Sequence, residues 1–160
     1  GHVVVYSGII KKMDSPESLA ALLAHESVHI NERHSLKSLL RSAANSILVS
    51  VVFGDVTGIS GALVGNANTL NGLRYSRSLE EEADKKGIEL LVQNSIEVKG
   101  MLQLMQTLKA EADIPKQLSF LSSHPLTSER IKAAESFIKQ HPQKGAANAT
   151  LQVLFTELKK

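Results

Sequence analysis

Cysteine is missing from all 160 residues, which excludes disulfide scaffolds, thiolate metal sites and cysteine nucleophiles. The redox compartment therefore stays open. Tryptophan is missing too, and aromatics make up only 4% of the chain, which leaves no stacking platform for nucleic-acid bases. Charge of one sign is scarce: 18 Lys and Arg stand against 16 Asp and Glu, for a net charge of +2. The basic residues are scattered rather than striped, so nucleic acid is not an expected partner. No apolar run reaches the roughly 18 residues of a membrane span, and no secretory signal is visible. What is present is an ordinary globular balance, 42% hydrophobic and 21% charged, with enough chain for one domain and a real core. Residues 1–160 read as a single domain. The abrupt apolar opening at Val3 is that expected of a fragment or mature core lacking upstream residues.

Residues 2–7 read HVVVYS, a β-branched and aromatic run that predicts a strand. As an edge it would receive an extended peptide by backbone pairing. As an interior strand it would need partners upstream of Gly1. Residues 8–13 turn away from it. Asp14-Ser15-Pro16-Glu17 then supplies a capping side chain, a first-turn proline and an acid at the positive helix end. A helix is predicted from about residue 15 to 34 or beyond, with Leu19, Leu22, Leu23 and Val28 as its apolar set. From residue 38 the chain becomes small and apolar, and helix is predicted to about residue 53, with a break at Gly54-Asp55. Gly54/Gly58 and Gly61/Gly65 are small residues four apart. They suit close helix packing; a flap, or a surface for membrane or partner, is the other reading of residues 43–65. Further helices are predicted over 79–92 with Ser78 as cap, 98–112, 127–140 with Thr127 as cap, and 147–158. Met101, Leu102, Leu104, Met105 and Leu108 form the buried face of the second of these. The fold class is α+β, predominantly α-helical, with a small N-terminal strand region.

The residues that carry chemistry are His25-Glu26-Ser27-Val28-His29, an H-E-x-x-H inside a predicted helix. Residues four apart share a helical face, so His25 and His29 can present imidazole nitrogens to one ion. Zinc suits that donor set. Glu26 projects beside the same face, where it can take a proton from water rather than bind metal. Accident is the alternative, but Leu19–Ala24 and Ile30 are uncharged, and burying two histidines with a glutamate is costly unless an ion compensates. A zinc site needs a third protein ligand. The long three-histidine motif is absent: Ser35 stands where its histidine would be and Glu32 where its glycine would be. His34 follows His25 by nine residues, about 180° around a continuous helix, and reads as a surface or second-layer histidine. Glu80 and Asp84 share a face four residues apart. Glu80 can bind the metal while Asp84 accepts the free N–H of a ligating histidine. A solvated acidic helix start is the plainer reading of those acids taken alone.

HESVH, then YSRSLEEEAD at residues 75–84, then SHPLTSERI at 123–131, in that order behind GHVVVYSGII, resembles the HtpX/BepA/CAAX-prenyl-protease family of zinc metallopeptidases. The likeness runs from Gly1 to about Ile138 and is strongest to the BepA-like and mitochondrial OMA-like branches. It implies a zincin-like, minimal gluzincin domain binding one Zn2+ per chain. By that match His25, His29 and Glu80 are zinc ligands, Glu26 is the catalytic base, and Asp84 supports a ligand. The implied activity is endopeptidase cleavage of polypeptide substrates, in envelope or membrane-associated protein quality control. The implied setting is the bacterial periplasm or cell envelope, with possible association to a membrane or envelope complex. A catalytically latent metal-binding or chaperone-like module of the same fold is the alternative.

His124, held in a loop by Pro125, can stabilise an oxyanion, touch substrate, cap the open metal position, or merely fasten the last helices. Arg130 reads as a salt-bridge partner. Tyr75 and Arg77 can line the cleft, and Arg77 can equally pair with local acids. The tail after Pro142 carries no recognised motif.

Overall fold

The computed structural model describes residues 2–53, 75–110, 120–140 and 148–160. The described chain is predominantly helical. Seven helices follow in order: α1 (Ser7–Lys12), α2 (Pro16–Asn31), α3 (His34–Phe53), α4 (Arg77–Gln93), α5 (Lys99–Ala110), α6 (Ser128–Gln140) and α7 (Ala149–Leu158). A single 3-10 turn, Phe120–Ser122, precedes α6. The expected strand does not form: residues 2–6 run without regular structure, and no strand exists among the described residues. The reason is physical. Val3, Val4 and Tyr6 are exposed and Tyr6 is extended, but a strand needs a neighbouring backbone to hydrogen-bond, and no described segment lies there. The expected turn at residues 8–13 is instead the short helix α1.

The N-terminus of α2 follows from its residues. Ser15 caps it, its side chain accepting from the Ser18 N–H at 3.2 Å, and Pro16 occupies the first turn where a missing N–H costs nothing. The expected continuous helix through residue 34 is not continuous. Glu32 ends α2, Arg33 adopts φ 53°, and α3 starts afresh at His34. Helix α4 starts two residues earlier than expected, with Ser76 rather than Ser78 at its cap. Helices α6 and α7 keep the predicted bounds to within two residues, with Thr127 accepting from the Arg130 N–H at 3.3 Å and Asn148 capping α7. The break at Gly54-Asp55 and the paired glycines after it lie outside the described residues.

Helix α2 is the centre of the fold and packs most extensively on α4 and α5. Their shared core holds Met13, Ala21, Leu22, Ile88, Leu91, Val98, Met101, Leu104, Met105 and Leu108, joined by Ala134 and Phe155. Phe155 brings α7 into the core, and Lys159 Nζ donates to the Met13 carbonyl at 2.7 Å, so the motif-free tail fastens the start of α2. Two glycines let the backbones approach. A Cβ on Gly87 would stand 3.4 Å from the His25 backbone nitrogen, so α4 runs directly against the HExxH segment. A Cβ on Gly100 would overlap the Glu17 carbonyl in the first turn of α2.

The Gly100 crossing makes a prediction. Gly100→Ala should destabilise the domain by about 1–3 kcal/mol, as overpacking against backbone does, with a matching fall in denaturant midpoint. An unchanged midpoint would show that α5 does not sit that tightly on α2.

Candidate metal centre

His25 and His29 lie in the last two turns of α2, Glu80 and Asp84 in the first two of α4, and His124 in the loop after the 3-10 turn. Close packing of α2 on α4 drives all of them inward. His25, His29, Asp84 and His124 are at most 6% exposed and Glu80 is 0% exposed. His25, His29, Glu80 and His124 each direct one donor atom into a cluster spanning no more than 4.8 Å. His25 Nε2 lies 3.0 Å from His29 Nε2, 3.4 Å from His124 Nδ1 and 3.5 Å from Glu80 Oε2. Glu80 Oε1 is 3.4 Å from His29 Nε2 and 3.1 Å from His124 Nδ1.

Those spacings test whether a metal fits. Four ligand atoms about 2.0–2.1 Å from a tetrahedral zinc stand about 3.3–3.4 Å from one another. The donor contacts of 3.0–3.5 Å are close to that separation, so three imidazoles and one carboxylate here are a set that could hold a metal ion. The electrostatics agree. Burial disfavours charge on His25, but hydrogen bonds to Asp84 and Glu80 prevail and push it up to about 9. The same carboxylates favour any cation at that point. Burial lowers His29 to about 4, which keeps its ring neutral and its lone pair available. Burial works against the charge of Glu80 as well, but hydrogen bonds from His124, His25 and His29 hold its carboxyl far below the ordinary range.

A second layer surrounds the donors. His25 Nδ1 stands 3.0 Å from Asp84 Oδ1, the arrangement that fixes a ligating imidazole with its other nitrogen free. Arg130 braces both acids. Its Nε and Nη2 donate to Asp84 at 2.6 and 2.7 Å, and its Nη1 donates to the Pro125 carbonyl and lies 2.6 Å from Glu80 Oε2. Burial disfavours the charge of Asp84, but Arg130 and His25 prevail and hold its carboxyl below the ordinary range. Arg130 is thus the salt-bridge partner the sequence suggested.

Glu26 points to the rim. Its Oε1 is buried without a hydrogen-bond partner among the described residues, 3.7 Å from His124 Nε2. The ring of His124 stacks on Phe120, with centroids 4.1 Å apart and planes 7° apart. Tyr75 stacks on His29 at 4.2 Å, but its hydroxyl turns away to Ser35 Oγ at 2.8 Å, and its N–H donates to the Ser123 carbonyl. Arg77 is exposed at the start of α4, in electrostatic reach of Glu129, and does not join the donor cluster.

His34 departs from its sequence reading. It does not face away: it is 0% exposed and its Nδ1 lies 2.9 Å from His29 Nδ1. The 180° argument assumed one helix, and the Arg33 turn breaks it. No glycine or proline between residues 17 and 53 announces that turn, so the sequence carried no signal for it. Phe120 was missed for a similar reason, since a lone phenylalanine in a loop carries no pattern.

A domain built around HExxH and a buried ExxxD is the class of a metallopeptidase. The family model for peptidase family M48 matches residues 1–138, and the chain belongs to that family. The chain is 32% identical over 143 residues to the mitochondrial metalloendopeptidase OMA1 of Schizosaccharomyces pombe, covering 88% of this chain and 42% of that protein. It is 27% identical over 158 residues to the beta-barrel assembly-enhancing protease of Yersinia pestis, covering 89% of this chain and 32% of that protein. The Escherichia coli K12 protein of that name is 26% identical over 153 residues, covering 88% and 31%. The chain thus spans less than half the length of these relatives.

Arg130 generates a prediction for the site. Arg130→Met leaves two buried carboxylates without their cation, and the metal-free protein should lose about 3–5 kcal/mol of stability. Thermal unfolding with and without added zinc checks it: zinc should restore part of the loss, and an unshifted melting temperature in the metal-free variant would contradict the bracing role.

Proposed function

We propose that this domain is a zincin-type, zinc-dependent endopeptidase in which His25, His29 and Glu80 hold the ion and Glu26 is the general base. The convergence of four buried donors beside a carboxylate oxygen, Glu26 Oε1, that makes no hydrogen bond among the described residues carries this reading. A zinc ion held there supplies Lewis acidity, polarising the scissile carbonyl and acidifying water. The remaining steps belong to the chain's own residues. Asp84 keeps the proton of His25 on Nδ1 and leaves Nε2 to bind. Glu26, one residue beyond His25, removes the proton from the attacking water and later delivers it to the leaving amine. Its unoccupied Oε1 is what such a base requires.

His124 gives the proposal its second part. With Nδ1 among the donors, it occupies the position that water or a substrate carbonyl needs. The domain is then latent until the loop bearing Phe120 and His124 moves. This favours the regulatory role for His124 over an oxyanion or substrate contact. A permanently silent metal-binding or chaperone-like module is disfavoured, because Glu26 is present and its Oε1 makes no hydrogen bond among the described residues.

Polypeptide substrates follow from the family. A role in envelope or membrane-associated quality control is supported more thinly, by relatives whose names point to mitochondria in one branch and to β-barrel assembly in the other. No described helix is long and apolar enough to cross a membrane. Residues 2–6, irregular here but with Val3, Val4 and Tyr6 exposed, are the segment that would pair with an extended peptide if the edge reading of the sequence holds.

Two variants test the assignments. Glu26→Gln should retain zinc and lose peptidase turnover by at least about a hundredfold, the lower end of general-base contributions. Full activity in it would contradict the base. His124→Ala should keep zinc and raise cleavage of an unfolded protein substrate; a fall in activity with zinc retained would assign His124 to catalysis and refute latency.

A further inference from the structure

Behind His29, on the side away from the donor cluster, three successive residues converge. Arg33 takes a positive φ of 53°, a backbone conformation side-chain-bearing residues seldom adopt. That turn folds the chain back so that His34, the first residue of α3, lies beside His29, which a continuous helix would place about 140° away. Ser35 then grips the Tyr75 hydroxyl at 2.8 Å, and the Tyr75 ring stacks on His29. His34 itself is 0% exposed, with its Nδ1 2.9 Å from His29 Nδ1. A polar ring buried to that degree costs stability that an apolar side chain of similar volume would not.

We infer that His34 is a positioning residue for His29, fixing the orientation and tautomer of that ring through the Nδ1···Nδ1 hydrogen bond. The inference rests on the reading of His29 as a metal ligand. His29 turns Nε2 toward the donors, so as a ligand it carries its proton on Nδ1 and donates it to His34. His34 must then accept on Nδ1 and carry its own proton on Nε2. That nitrogen makes no hydrogen bond among the described residues, and the acid nearest it is Glu82, whose Oε2 stands at the ion-pair distance of 3.3 Å. Glu82 is in turn held by Lys86 at 2.7 Å, and Lys86 also holds Glu32, the last residue of the α2 corner, at 2.6 Å. Lys37 stands 3.6 Å from Glu32 and 3.9 Å from Glu82. Three of the acids of α4 thereby divide their tasks: Glu80 faces the donors, Asp84 orients His25, and Glu82 stands against the residue that orients His29. The two histidines of HExxH are supported differently, one directly by a carboxylate and the other by a carboxylate acting through a second imidazole.

The test compares zinc affinity in the wild type, His34→Asn, His34→Gln and His34→Leu, by competition with a chromophoric chelator, and records the visible spectrum of each Co2+ form. Circular dichroism of the metal-free proteins establishes that each is folded. Asparagine places an acceptor where His34 Nδ1 stands; glutamine reaches toward Nε2 instead; leucine fills the volume without an acceptor. His34→Gln and His34→Leu should bind zinc about 10–100-fold more weakly with an altered Co2+ spectrum, as loss of a ligand's outer partner does, while His34→Asn stays close to wild type. Should the leucine variant fail to fold, the Asn and Gln pair still decides. Equal affinity and spectra in all folded variants would overturn the inference, as would equal weakening in Asn and Gln. Wild type that takes up no metal would overturn the ligand reading itself, and this inference with it.

Discussion

The charge of Glu80 has no water around it, and the rest of the structure answers that fact. An isolated carboxylate in a protein interior is untenable; it must be paired, hydrogen-bonded or bound to a cation. Here His25, His29 and His124 surround one side of it and the Arg130 guanidinium the other. Arg130 also grips Asp84 with two hydrogen bonds, so one cation braces both Glu80 and Asp84. The packing that buries Glu80 is the packing that joins α2 to α4, and Gly87 makes it possible by letting α4 run against the His25 backbone. Fold and site are the same construction.

The elements outside that contact are placed to serve it. Helix α5 carries the methionine and leucine face that α2 and α4 share as a core. Helix α6 exists, from the standpoint of the site, to deliver Arg130. The loop before it delivers His124, tied by its own N–H to Phe120 and through Ser123 to Tyr75. Helix α7, without any motif, anchors the N-terminal end through Phe155 and Lys159.

Much of this was legible in the residues. HESVH carries a specific spacing, because residues four apart share one helical face regardless of context, and EEEAD gained its meaning only beside it. The helix starts at Ser15 and Thr127 were legible because capping is local chemistry, whereas the cap at Asn148 was not read from the sequence. The N-terminal strand is absent from the described residues because valine and tyrosine report only a preference for strand, while a strand exists only with a partner. His34 was misjudged because the turn at Arg33 is imposed by tertiary packing on a residue type that gives no hint of it. The role of His124 stayed open in the sequence for the same reason: Pro125 shows that it sits in a loop, but only the fold shows that the loop returns to the donor cluster.

The central claim is that a buried carboxylate and two histidines hold one metal ion. Zinc content per chain, by elemental analysis of protein purified without chelator or metal-affinity tag, tests it most directly, on the wild type beside Glu80→Ala. The account predicts one zinc per chain in the wild type and its loss in Glu80→Ala. Wild-type protein without zinc even after zinc is added back, or zinc undiminished in Glu80→Ala, would contradict it.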